Sequence, residues 1–376
     1  MAKNGSFPSL RAVDLRVRPL ARAETIPSAW YTDPRFHALD RDAIFATTWQ
    51  QVADTHQLAQ PGDHVIADVA GEPIIVVRGK DGALRAFFNV CRHRGGPLAM
   101  KDGTADMLIC KYHGWTYRLD GMLRGVPHFN RVELFDKRDY GLTPVHLAVW
   151  EGLVFVNLGE RPKPLETYLK DIRERVAPTR IGKLTFARRI EYDVRANWKL
   201  IFENYSECYH CPLVHPALSK LTPYDSAEND LCEGPFLGGF MPITKGHSLT
   251  MSGNACAPPV GDIKAGDHHR VFYYSIFPNL LLSLHPDYVM VHQAWPQSPA
   301  RTILFCDWFF HPDAFGRPDF HPDDAVEFWD MTNRQDWHVC ELSQQGIASR
   351  AYQPGPYSPR ESIPAAWDRE YLRALG

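Results

Sequence analysis

The sequence predicts an α+β chain in which an antiparallel β domain accompanies a second domain built on a central antiparallel sheet flanked by helices. Three observations lead there. Between His64 and Leu158 the chain runs as short apolar stretches broken by turns. Beyond that region sheet-like and helical patterns mix. At 376 residues the chain also exceeds what one ordinary core can organise.

Taken in order, residues 1–43 read as a lead-in that packs on the second domain, with a short helix around Arg35 to Thr47. Residues 44–158 form the β domain. Its strands are read in HVIADVA, EPIIVVRG, LRAFFNV, DMLICKY, WTYRLDG and LAVWEGLVFVNL, with hairpin-type turns at Lys80-Asp-Gly and Leu119-Asp-Gly. RPKPLE, starting at Arg161, reads as a linker before a helix that reaches Val176. Residues 159–376 form the second domain, where KLTFARRIEYDV, VFYYSIFPNLLLSL, YVMVHQAW and RTILFCDWFF read as strands. Two helices matter most there. One is expected from about Asn197 to Cys211. The other starts after Pro322, a residue favoured in a first turn, and stops at Gly346, a favoured C-terminal cap.

Composition removes several function classes. A net charge of −3 without like-charge runs argues against a nucleic-acid binder. No stretch approaches the roughly 20 apolar residues of a membrane span, and MAKNGSFPSLRAVDLRV lacks the apolar core of a secretory signal. The eight cysteines are unevenly spaced, unlike a secreted disulfide framework. The expectation is a cytoplasmic enzyme whose cysteines are core filler or metal ligands.

The segment CRHRGGPLAMKDGTADMLICKYHGW supplies Cys91, His93, Cys110 and His113. Each pair sits on a tight loop at a strand end, so two loops can clamp one inorganic centre. Structural zinc accepts two cysteines and two histidines, which leaves a zinc ribbon open. The C-x-H pair is the unusual element and suits a [2Fe–2S] cluster with thiolates on one iron and imidazoles on the other. Neutral imidazoles raise the potential of such a cluster above that of an all-cysteine one. Gly95, Gly96 and Gly114 leave room for backbone N–H groups near the sulfurs.

C-x-H-R-G…C-x-Y-H-G-W followed by NWK…ENYSECYHCPLVH resembles the Rieske non-haem iron oxygenases, the terminal or α subunits of ring-hydroxylating and related systems. The resemblance spans nearly the whole chain. It implies a [2Fe–2S] cluster held by Cys91, His93, Cys110 and His113, and a mononuclear Fe(II) bound by His210 and His215. Pro212 argues that His210 lies at a helix end and His215 in the extended turn that follows, so the two rings approach one metal from different directions. The expected carboxylate ligand is Asp336, with Asp330 the competing position. The family places an acid three residues before its first iron histidine, here Glu207. That acid bridges to a cluster histidine of the neighbouring subunit in a ring-shaped homotrimer, here His113. Glu207 departs from the commoner Asp, and Asn204 falls where the family keeps an Asn near the iron. Cys208 and Cys211 form a C-x-x-C pair that suggests zinc or redox chemistry; both read as buried small hydrophobes.

The implied activity is a terminal oxygenase. It takes electrons from an NAD(P)H-dependent reductase carrying flavin, an iron–sulfur centre or both, and uses O₂ to oxidise a small organic substrate. Arg92, Arg94, Lys101 and Lys111 flank the cluster loops and offer a docking face for an acidic reductase, or simply a solvated basic surface. The second domain is rich in aromatics, and Phe272, Tyr274, Trp295 and Trp308 are the expected substrate contacts. An aromatic cage suits a quaternary ammonium, and ENYSECYHC is similar to oxygenases of carnitine, glycine betaine and stachydrine. The expected substrate is therefore a quaternary-ammonium or N-methyl compound, hydroxylated and in some cases demethylated. The alternatives are oxygenation of an aromatic ring or acid, anchored on Arg270 and Arg301, and an electron carrier without oxygenase activity.

Overall fold

The computed structural model describes residues 18–130, 132, 133 and 135–376. The reading of the extreme N-terminus as free of a secretory signal falls on residues 1–17, outside the described residues. The chain forms two compact units. One is Phe45–Tyr168, and the other joins the described residues up to Ile44 with Leu169–Gly376. No helix among the described residues is long and apolar enough to cross a membrane.

The first unit contains ten strands: β1 (Gln50–Asp54), β2 (Asp63–Val69), β3 (Glu72–Arg78), β4 (Leu84–Phe88), β5 (Gly103–Thr104), β6 (Leu108–Ile109), β7 (Thr116–Tyr117), β8 (Leu123–Gly125), β9 (Pro144–Trp150) and β10 (Leu153–Asn157). Seven make an antiparallel sheet in the order β1-β10-β9-β4-β3-β2-β5, and β6-β7-β8 make a small second sheet. The apolar alternation explains the packing. Ile75 and Val77 of β3, Phe87 of β4, Leu108, Trp115 and Tyr117 bury together. Each such fully buried side chain contributes about 1.5–3 kcal/mol relative to exposure.

The second unit holds an antiparallel sheet of β11 (Thr185–Val194), β12 (Glu228–Leu231), β13 (Phe236–Pro242), β14 (Arg270–Ile276), β15 (Leu280–Leu284), β16 (Tyr288–Ser298) and β17 (Arg301–Phe310), in the order β11-β17-β16-β15-β14-β13-β12. Four helices frame the site: α1 (Trp198–Tyr205), α2 (Cys211–Val214), α3 (Asp323–Ile347) and α4 (Ser362–Leu375). Helix α3 follows Pro322 and ends one residue past Gly346, close to where the punctuation placed it.

The helix expected from Asn197 to Cys211 is shorter. Asn197 caps α1 by accepting from the Lys199 amide at 3.1 Å, but the helix stops at Tyr205. The Ser206 hydroxyl turns back to the Phe202 carbonyl at 2.5 Å, a local bond that competes with continuation. Pro212 stands in the first turn of α2 rather than ending α1, because a proline is tolerated where no N–H partner exists. His210 therefore lies on a turn between two helices.

The lead-in is locked onto the second unit by buried polar contacts. The Lys199 ammonium donates to Asp40, the Trp198 indole to Asp40 at 2.9 Å, and the Tyr31 hydroxyl to Glu203 at 2.7 Å. Trp198, Phe202, Trp367 and Tyr371 pack edge-on and stacked beside them.

Candidate active site

In the first unit the two ligand-bearing loops have the same construction. The Gly95 amide donates to the Cys91 carbonyl at 3.0 Å, and the Cys91 amide to Gly96 at 2.9 Å. The Gly114 amide donates to Cys110 at 3.0 Å, and the Cys110 amide to Trp115 at 2.9 Å. Gly95 and Gly114 both sit at positive φ, 74° and 71°, a conformation only glycine adopts freely. Cys91 and Cys110 are buried, whereas the His113 ring is exposed. The imidazoles of His93 and His113 lie 4.6 Å apart, centroid to centroid, and His93 stacks on Trp115 at 4.9 Å.

This set fits a cluster with two thiolates and two imidazoles. Nδ1 of His93 is buried with no hydrogen-bond partner among the described residues, a vacancy a metal bond would satisfy. Burial raises the Cys110 thiol pKa, while the amides of Tyr112 and His113 donate to the sulfur and favour its thiolate. The Tyr117 hydroxyl lies 3.3 Å from the Cys91 sulfur and accepts from the Arg92 amide at 3.0 Å. Arg92, Arg94, Lys101 and Lys111 are all exposed.

In the second unit the structure brings together His210, His215 and Asp336. Nε2 of His210 is 3.2 Å from Asp336 Oδ1, and Nε2 of His215 is 2.8 Å from the same oxygen. The opposite ring nitrogens are both held. His210 Nδ1 donates to Glu207 at 2.5 Å and His215 Nδ1 to Gln335 Oε1 at 2.8 Å. Each ring is thereby fixed in the tautomer that presents Nε2 to a common point, which fits a two-histidine, one-carboxylate metal site. Burial opposes charge on His210, but its hydrogen bonds to Asp336 and Glu207 win and raise its pKa to about 10. Burial likewise pushes the Asp336 carboxyl up, and the two imidazoles more than reverse this, holding it below the ordinary range. One carboxylate and two imidazoles converge here, a donor set that suits a divalent cation.

Helical phase explains why Asp336 and not Asp330 faces the histidines. Trp329, Thr332, Asn333, Asp336 and Trp337 recur at the i, i+3, i+4, i+7, i+8 spacing of one helix face, and all line the same cavity. Asp330 lies off that face, accepting from the Tyr192 hydroxyl and the Arg334 guanidinium, each at 2.9 Å. Asn204 also lines the cavity. Glu207 is folded back on its own loop, with one oxygen on His210 and the other accepting from the Tyr209 and His210 amides.

Two expectations are corrected. Cys208 and Cys211 are joined as a disulfide rather than packed as separate small hydrophobes. The turn carrying His210 brings their Cα atoms to 5.0 Å, within bonding range. The Cys211 sulfur lies within 4.8 Å of the histidine nitrogens, but a bonded sulfur offers no thiolate to a metal. The aromatics Phe272, Tyr274, Trp295 and Trp308 do not line the cavity; Tyr205, Tyr273, Trp329 and Trp337 do. On β14 side chains alternate between faces, so choosing Phe272 and Tyr274 selects the face opposite Tyr273. Trp308 is fully buried in the sheet. The sequence reading also missed Gln335 and His292. Gln335 was detectable only as the neighbour of Asp336. His292 lines the cavity, and burial lowers its pKa to about 4, which keeps it neutral.

Arg270 and Arg301 are occupied elsewhere. Arg301 makes a two-point pair with Asp193 at 2.8 and 2.9 Å. Arg270 pairs with Asp267 at 3.3 Å and lies 4.2 Å over the Phe240 ring. Neither lines the cavity, which encloses about 350 Å³.

Comparison with known proteins agrees with both halves of this geometry. Residues 48–136 match the Rieske [2Fe–2S] domain, and residues 181–376 match the ring hydroxylating alpha subunit catalytic domain. The carnitine monooxygenase oxygenase subunit of Acinetobacter pittii is 40% identical, covering 88% of this chain and 87% of that protein. The glycine betaine monooxygenase oxygenase subunit of Chromohalobacter salexigens is 32% identical over 89% and 82%. The crystal structure of the quaternary ammonium Rieske monooxygenase CntA in complex with substrate L-carnitine superposes with a TM-score of 0.79 at 27% identity, covering 96% of this chain and 100% of CntA. The chain therefore belongs to the Rieske non-haem iron oxygenases, as an oxygenase subunit with a [2Fe–2S] domain ahead of a mononuclear-iron catalytic domain.

Proposed function

We propose that this oxygenase hydroxylates a small quaternary-ammonium or N-methyl compound at a carbon next to nitrogen, with loss of the methyl group as formaldehyde where a methyl is attacked. The carrying observation is the cavity wall. Tyr205, Tyr273, Trp329 and Trp337 surround the space beside the two histidines, and aromatic faces attract an onium without requiring a hydrogen bond. Relatives named for carnitine and glycine betaine support the same class. The engagement of Arg270 and Arg301 with other partners disfavours their use as anchors for an aromatic acid.

The geometry supports the following site assignments. Cys91, His93, Cys110 and His113 are the proposed cluster ligands, and His210, His215 and Asp336 the proposed iron ligands. When bound, the cluster supplies electrons singly and the iron supplies activation of O₂. Glu207 and Gln335 orient the two imidazoles through their Nδ1 protons, and Asn204 borders the site. Tyr273, Trp329 and Trp337 hold the onium and exclude water. As an oxygenase subunit the chain works with a reductase. We propose an NAD(P)H-dependent reductase with flavin, an iron–sulfur centre or both, docking on Arg92, Arg94, Lys101 and Lys111, in the cytoplasm where the reductant is made. The exposure of His113 and the placement of Glu207 on His210 support a homotrimer in which Glu207 links His210 to His113 of the partner subunit.

A single turnover tests the activity. The iron-loaded protein is reduced, freed of reductant and exposed to O₂ with carnitine, glycine betaine or benzoate. Formaldehyde or an oxidised amine supports the reading. A hydroxylated aromatic acid with no amine product overturns it.

A further inference from the structure

We propose that Arg360 at the cavity rim binds the carboxylate of the substrate, so that this enzyme selects zwitterionic onium carboxylates over simple onium cations. The inference rests on the quaternary-ammonium reading above and narrows it. Among the described residues that line the cavity, Arg360 is the only Arg or Lys. The lining carboxylates are Glu207 and Asp336, both committed to histidines, and the exposed Asp225. Arg360 thus supplies the one permanently cationic side chain among the described lining residues.

The local structure keeps that charge available. Arg360 lies on the turn preceding α4, held by a capping box: its amide donates to the Ser358 hydroxyl at 3.2 Å, and the Ser358 amide donates to Glu361 at 2.7 Å. Glu361, the nearest carboxylate in sequence, is therefore spent on the backbone. The Arg360 guanidinium lies 5.4 Å over the Tyr224 ring, another cavity residue, and makes no ion pair among the described residues. Other arginines among the described residues are paired, as Arg175, Arg189 and Arg301 are with Asp230, Asp307 and Asp193. Arg360 is exposed, whereas Trp329, Trp337 and His215 are buried, which puts the guanidinium at the solvent end. A short onium carboxylate entering head first places its cation among the aromatics and leaves its carboxylate at the planar, two-point donor of Arg360. An onium alcohol such as choline offers that donor only a neutral hydroxyl oxygen, with neither the charge nor the second acceptor of a carboxylate.

The test uses the iron-loaded full-length protein, its Arg360→Gln and Arg360→Lys variants, and three ligands: carnitine, glycine betaine and choline. Dissociation constants are measured calorimetrically without O₂, and KM and kcat are measured in turnover. Arg360→Gln should raise Kd and KM for the carboxylates by about tenfold, the size of one partly exposed charge-assisted contact, with kcat and the choline constants unchanged. Arg360→Lys should recover part of the loss. Wild-type protein that binds and oxidises the carboxylates, with an Arg360→Gln variant equally affine for them, would overturn this inference alone. A parallel loss for choline would overturn it too, as a general electrostatic or structural effect. Wild-type protein that neither binds nor oxidises any of the three overturns the quaternary-ammonium reading itself, and this inference with it.

Discussion

Replacing Tyr117 by Phe should lower the reduction potential of the [2Fe–2S] cluster. The Tyr117 hydroxyl sits 3.3 Å from the Cys91 sulfur, and the Arg92 amide donates to the same hydroxyl at 3.0 Å. A cluster-bound cysteine has no proton, so the hydroxyl must donate to it. Reduction adds an electron, and a donor at a sulfur stabilises the more negative state more. A typical net hydrogen bond contributes about 0.5–1.5 kcal/mol. At 59 mV per tenfold for a one-electron couple, its loss corresponds to a drop of up to roughly 20–65 mV, the full value applying where the bond contributes only in the reduced state. The Arg92 amide polarises the hydroxyl, which favours the upper half of that range. Tyr117 is fully buried, so water cannot take over the donor role. Spectroelectrochemical titration of wild type and Tyr117→Phe measures the shift, with the electron paramagnetic resonance spectrum confirming an intact cluster. A potential that is unchanged, or that rises, refutes the reasoning. Such a result would mean the hydroxyl does not point at the sulfur.

Four other outcomes follow. Asp336→Ala should lose the mononuclear iron while the cluster absorption survives, read by iron content against the visible spectrum; loss of the cluster instead would contradict the separation of the two sites. Glu207→Gln should retain both metals yet slow turnover by about 10- to 100-fold, as expected when the group orienting a metal ligand is altered, and a normal rate would remove Glu207 from the electron path. Lys199→Met should destabilise the fold by about 3–5 kcal/mol in urea unfolding, because Asp40 then stays buried as an uncompensated carboxylate. Burial raises the Asp368 pKa to about 7, so an unfolded carboxyl that ionises near ~4 releases its proton first. The folded state binds more protons between those values, and stability should therefore fall as pH rises from about 4 to about 7. Unfolding across that window should show the slope in wild type and a reduced slope in Asp368→Asn.

The two cysteine–histidine loops were legible because their information is local. Cys91-x-His93 and Cys110-x-x-His113, each with a glycine four residues after the cysteine, encode two loops whose backbone closes the same way wherever the chain places them. Pro322 and Gly346 bounded helix α3 for a similar reason, since start and stop signals act within one turn. His210 and His215 were recognisable from their segment, although the expected continuous helix was not there. Ser206 turns the backbone out of the helix after Tyr205, and a helix drawn through it to Cys211 ignored that competition.

What only the tertiary structure decided is which side chains share a space. The sequence alone left Asp330 beside Asp336 as a candidate ligand; the phase of α3 against the histidine turn puts Asp336, and not Asp330, beside the two histidines. It offered an aromatic-rich sheet, but the pairing of β13, β14 and β15 turns Tyr273 inward and Phe272 and Tyr274 away. The pairing of Cys208 with Cys211, the support of His215 by Gln335 and the position of Arg360 on the cavity rim belong to the same kind of fact. A spacing motif specifies ligands that are close along the chain. Contacts across long sequence separations depend on register and helix rotation, and these are set by the whole core at once.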